Sequence, residues 1–153
     1  MSRSCVLLLF MLVTGAAGVS SVEETSLFDA AYDGRVNAID ELLAAGADVN
    51  QARTTDGSTP LFAAAQNGHL TVVTKLIAAG ADVNKAETTA GATSLFIAAQ
   101  KGHLTVVTKL IAAGADVDKA KTDTGATPLY IAVEKGHLTV VTKLIAAGAL
   151  VDK

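Results

Sequence analysis

One period governs this chain. Gly-His-Leu stands at Gly68, Gly102 and Gly136, at equal intervals of thirty-four positions, and the segment Gly68–Ala81 returns unchanged at Gly102–Ala115 and Gly136–Ala149. Gly-Ala-Asp-Val keeps the same register at Gly46, Gly80 and Gly114, and Gly148 opens a degenerate Gly-Ala-Leu-Val copy. A diverged unit occupies about residues 25–53, and near-identical units follow at about 54–87, 88–121 and 122–153. A chain that repeats itself this closely makes the same contacts at every step, so it stacks its units in a row.

Each unit carries two helix signals. Thr59 before Pro60 places a capping hydroxyl ahead of a proline whose missing N–H costs nothing in a first turn. Leu61–Asn67 then reads as a short helix stopped by Gly68. A second helix is predicted over His69–Ala79, with Leu70, Val73, Leu76 and Ile77 on one face of the helical period. The polar stretch around Lys85–Gly91 has no period and reads as a loop with glycine at its turn. Helices this short are marginal alone in water, and stacking identical pairs buries a continuous apolar strip. The predicted fold is all-α: a solenoid of about four helix-turn-helix units joined by hairpin-like loops. Half the residues are apolar but only 4% are aromatic, with no Trp, so small aliphatic side chains must fill the core by close approach.

Thr127-Pro-Leu-Tyr-Ile-Ala132, Gly136-His-Leu138, Val140-Val141 and Gly114-Ala-Asp-Val117 resemble the ankyrin-repeat consensus, from about Thr25 to the C-terminus. There are departures. The family's Thr-Pro-Leu-His becomes Thr-Pro-Leu-Phe62, Thr-Ser-Leu-Phe96 and Thr-Pro-Leu-Tyr130, and the period of thirty-four implies one extra residue in each loop. The resemblance implies that loop tips and first-helix ends line a concave recognition surface, and there the units differ. The tips read Thr55-Asp56-Gly57-Ser58, Thr89-Ala90-Gly91-Ala92 and Asp123-Thr124-Gly125-Ala126; the helix ends read Tyr32-Asp33, Gln66-Asn67, Gln100-Lys101 and Glu134-Lys135. A protein or peptide partner is expected on these residues. Phe62, Phe96 and Tyr130 form a row along the stack. They either anchor that partner or pack between neighbouring first helices, with Tyr130 the one expected to be exposed.

Other chemistries find little support. One Cys and three His exclude thiol-cluster zinc sites and disulfide scaffolds. His69, His103 and His137 sit at the same position of successive units, and packed helices lie about 8–10 Å apart, too far for one metal ion to bridge. The resemblance implies a hydrogen bond across the joint for each of them. Ser and Thr fall at caps and turns, so no enzyme and no cofactor are expected. Asp48, Asp82 and Asp116 follow the second helix and read as loop formers, and Lys75, Lys109 and Lys143 as a solvated outer ladder. A net charge of −3 argues against a general nucleic-acid binder.

The ends differ from the middle. Arg3, the apolar run Cys5–Val13 and the small residues Gly15–Gly18 follow the order of a secretory signal peptide over residues 1–18, cleaved after Ala17 or Gly18. The alternatives are a buried N-terminal helix or a mispredicted start codon. Cleavage would remove the single thiol and leave 19–153 as a secreted or secretory-pathway domain with no membrane span. Asp29, Asn37, Asp40 and Glu41 give the first unit a polar face suited to capping, whereas the last unit keeps the apolar second helix. That end is a candidate for self-association, which would make the chain a structural self-assembler; a third reading is the sensing fragment of a longer protein.

Overall fold

The computed structural model describes residues 25–151, so the expected signal segment lies outside the described residues. Among the described residues eight helices follow in order: α1 (Leu27–Tyr32), α2 (Val36–Ala44), α3 (Pro60–Asn67), α4 (Leu70–Ala78), α5 (Ser94–Lys101), α6 (Leu104–Ala112), α7 (Pro128–Glu134) and α8 (Leu138–Ala146). The first helices α1, α3, α5 and α7 pack on one another in sequence, and the second helices α2, α4, α6 and α8 form a parallel row behind them. The fold is the predicted all-α solenoid.

The first helices start as their sequence dictates. Thr59, Thr93 and Thr127 are extended, and each hydroxyl accepts from a backbone N–H in the first turn: Phe62, Phe96 and Tyr130, all at 3.2 Å. The second helices are one residue shorter at each end than predicted. His69 lies outside the helical region and caps α4 through its carbonyl, which accepts from Val73 N at 2.9 Å, while Gly80 at φ 89° cannot extend the helix. The buried stripe of α4 is Val72, Val73 and Leu76. Leu70 was expected in it but stands at the rim, partly exposed, because it shares an edge of the helix with half-buried Ile77 two turns on. Between the rows, Leu61, Leu95 and Leu129 and the alanines Ala63–Ala65, Ala98 and Ala99 fill the core.

Three polar bonds repeat at the joints between units. The ring Nε2 of His69, His103 and His137 lies 3.0, 3.1 and 3.0 Å from the carbonyl oxygens of Tyr32, Gln66 and Gln100. A carbonyl only accepts, so each Nε2 carries the proton. The Oδ1 of Asn50, Asn84 and Asp118 accepts from the backbone N–H of Asp82, Asp116 and Leu150 at 2.8, 2.8 and 2.9 Å. Lys85 and Lys119 donate to the carbonyls of Asn50 and Asn84 at 3.0 and 2.9 Å. Asp48, Asp82 and Asp116 fold their loops, each accepting from the amide of the next residue but one.

The close approach shows at Gly68. Its φ is 74°, and a Cβ built there would stand 2.8 Å from the His103 ring; Gly136 has φ 73° with nothing within 4 Å. Gly68→Ala should therefore lower stability by about 1–3 kcal/mol more than Gly136→Ala, which carries only the left-handed backbone strain. Urea unfolding of the two variants tests this, and equal losses would contradict it. Ser94 supplies a second test. Its hydroxyl is fully buried without a partner, at the position that Pro60 and Pro128 fill in neighbouring units. Ser94→Ala removes that orphan and keeps the backbone N–H, so it should stabilise by roughly 1 kcal/mol. A lower melting temperature would refute the reading.

Candidate partner-binding face

The loops close by one scheme with interchangeable side chains. Arg53, Glu87 and Lys121 donate their backbone N–H to the carbonyls of Ser58, Ala92 and Ala126 at 2.9, 3.0 and 2.9 Å. The returning amide needs an acceptor in each loop. Asp56 supplies it to Ser58 at 3.0 Å and Thr124 to Ala126 at 3.4 Å. The equivalent residue of the middle loop is Ala90, whose side chain has no acceptor, and Glu87 takes the role from outside the tip. Its carboxylate accepts from Ala92 N at 3.0 Å, Ala90 N at 2.8 Å and Thr89 N at 2.6 Å, and from the Thr89 hydroxyl. Successive tips join through Thr88 N to Asp56 O at 2.8 Å and Thr122 N to Ala90 O at 2.9 Å. The variable tips thus stand on a shared, hydrogen-bonded backbone.

Burial pushes the Glu87 carboxyl up, but the Thr89 hydroxyl and the amides of Ala92, Thr89 and Ala90 outweigh it and hold the group below the ordinary glutamate value. A carboxylate depressed in the folded state contributes stability above the unfolded pKa, and that contribution fades as pH falls through the folded one. Glu87→Gln points an amide N–H₂ at donors, so it should cost about 1–3 kcal/mol at neutral pH. The gap between the two proteins should narrow as pH falls below about 4.3, where an unfolded glutamate is half protonated. Melting temperatures across pH measure it, and a gap independent of pH would contradict the assignment.

Two open hollows lie on this face. One, of about 530 Å³, is lined by Phe96, Gln100, Lys121, Thr124, Gly125, Ala126, Tyr130, Ile131 and Glu134. The other, of about 250 Å³, is lined by Asp56, Ser58, Phe62, Glu87, Thr89, Ala90, Ala92, Phe96, Ile97, Gln100 and Lys121. Tyr32, Asp33, Thr55, Gln66, Asn67, Lys101, Asp123 and Lys135 line neither. Several of these are engaged within the chain: Asp33 pairs with Arg35 at 3.2 Å, Asp123 with Lys121 at 3.2 Å and Lys135 with Glu134 at 3.1 Å. Asn67 donates to the Tyr32 carbonyl at 3.0 Å.

Two of the predicted contact residues line the second hollow with little exposed surface. Ser58 and Ala92 are only 4% and 7% exposed, because they form the returning arm of each loop, paired back to Arg53 and Glu87 just ahead of the helix cap. The aromatic row divides as the sequence left open. Phe96 is buried at 3%, Phe62 is half-buried, and Tyr130 is 56% exposed. Sequence reasoning missed Glu87 and Lys121 as lining residues. The signal was present in Arg53, Glu87 and Lys121, which occupy one repeat position with reversed charge in the middle unit. Phe28, which lines neither hollow, was missed as a member of the aromatic row, although it stands one full period before Phe62.

Paired rows of short helices joined by stacked loops, with no strand beyond an isolated Ala86–Thr93 bridge among the described residues, define a helical-repeat protein. The family model for ankyrin repeats (three copies) matches residues 2–87 and 85–153, and the chain belongs to that family. No curated protein matches the chain. Ankyrin repeats are in general protein–protein interaction modules and typically non-catalytic. Among the described residues, no helix is long and apolar enough to cross a membrane.

Proposed function

We propose that the chain is a non-catalytic binding module that presents its loop tips and first-helix ends to a protein or peptide partner. The observation that carries this reading is positional: both hollows open on the face where the units differ, and the constant second helices line neither. The tips are tied to one another through backbone bonds, so a partner would meet a preformed surface and little ordering cost would oppose binding. Residues 1–18 support export of the domain through the secretory pathway.

Affinity capture from the native extract, read by mass spectrometry, tests the reading. The bait is the chain from Gly18, run beside a variant carrying Gln66→Glu, Lys101→Glu and Lys135→Glu. The unaltered bait should retain a partner that the variant loses, with the two melting temperatures alike. Equal retention by both would exclude the first-helix ends as the docking site. Peptides from the endogenous chain report its own N-terminus, expected at Gly18 or Val19; an intact Met1 would contradict export.

A second reading, self-association, is favoured by one observation. In the last described unit Leu138 is 75% exposed, and Val133, Ile145, Leu150 and Val151 are exposed as well, more large apolar side chains than any earlier unit exposes. Recovery of the chain alone, equally by both baits, would favour it over partner binding.

A further inference from the structure

An aromatic side chain recurs once per unit, at Phe28, Phe62, Phe96 and Tyr130. Two of these rings carry a cation from the following loop. Arg53 Cζ stands 4.7 Å from the Phe28 centroid, and Lys121 Nζ stands 5.5 Å from that of Phe96. In both cases the cation follows the ring at the same offset along the chain, twenty-five positions on. That offset from Phe62 reaches Glu87, whose carboxylate is turned into its own loop and closed by four donors. The fourth ring, Tyr130, is the most exposed of the row and has no cation over it among the described residues.

The surroundings of Tyr130 complete the pattern. Glu134 follows one helical turn later on α7, so it lies on the same side of the helix, and both line the larger hollow with Gln100 and Thr124. The one lysine of that hollow, Lys121, is already held between the Phe96 ring and Asp123. Among the described residues Glu134 is engaged only by its neighbour Lys135, in a pair whose side chains are about half exposed, and water screens such a pair strongly. An open ring beside an available carboxylate has the chemistry to hold a cationic side chain.

Resting on the binding-face reading above, we propose that Tyr130 and Glu134 form a subsite for an arginine side chain presented by the partner. The flat guanidinium stacks on the phenol ring while its N–H groups reach the Glu134 carboxylate, a combination that a lysine ammonium matches less well. Arg53, with its Cζ over the Phe28 ring, places a guanidinium on an aromatic face within the molecule itself.

The test is a titration of the full isotope-labelled chain with the peptide acetyl-Gly-Arg-Gly-amide, followed by NMR. The chain has two tyrosines, so Tyr32 serves as the internal control. Saturable shifts are expected at the Tyr130 ring and the Gly125 and Glu134 amides, with Tyr32 unmoved. Glu134→Gln and Tyr130→Leu, read at the Gly125 amide, should each weaken the response about three- to fivefold, and Tyr130→Phe should retain it. The lysine counterpart should bind more weakly and the glutamate counterpart not at all. No saturable response, equal movement of Tyr32, or a lysine or glutamate peptide matching arginine would overturn the subsite. Partner capture with no arginine response would refute the subsite and leave the binding face standing. An arginine response with no captured partner would support the subsite and count against the face as the natural docking site.

Discussion

The joint between units sets every other feature of this molecule. A constant repeat length brings the same polar groups to each boundary: an imidazole N–H meets a carbonyl of the preceding first helix, and a side-chain oxygen meets an amide of the following loop. Each bond contributes only about 0.5–1.5 kcal/mol net, too little to drive the stacking by itself. Their weight therefore falls on register. The apolar strip of Val72, Val73 and Leu76 and its copies drives the stacking, and the polar bonds allow one alignment. Alanine at Ala63–Ala65 and Ala98–Ala99 lets the first helices approach closely enough for those bonds to form.

With the joints fixed, variation is confined to places where the backbone is secured independently of the side chains it displays. The loop tips are such a place. Asp56, Glu87 and Thr124 satisfy the same returning amide by three routes, so the tip residues around them differ while the chain path does not. Glu87 shows how this works. An alanine at position 90 leaves a donor without an acceptor, and a carboxylate from outside the tip fills the vacancy at the cost of its own desolvation.

The periodicity made the helices, caps and stacking order legible, because each depends on residues close in sequence or one period apart. The ends of the second helices were off by one residue, since His69 and Ala79 sit at the half-turns where capping geometry decides. Leu70 was misplaced by a spacing rule that fixes a face but not its centre. Ser58 and Ala92 read as exposed tip residues because their tetrapeptides are polar or small, and their burial comes from cross-loop pairing that no local pattern displays. Glu87 was hidden for the same reason. The row from Phe28 to Tyr130 was legible only in part: its spacing lies in the sequence, but which ring is covered depends on the loop that folds over it.

Footprinting decides whether the variable face is where the molecule works. Amide hydrogen exchange would be compared between the free chain and the chain bound to its captured partner. Added protection is expected at the tips 55–58, 89–92 and 123–126 and at the ends of α3, α5 and α7, with the second helices unchanged. Protection centred on α4, α6 and α8 would place the partner on the constant side and contradict a variable binding face.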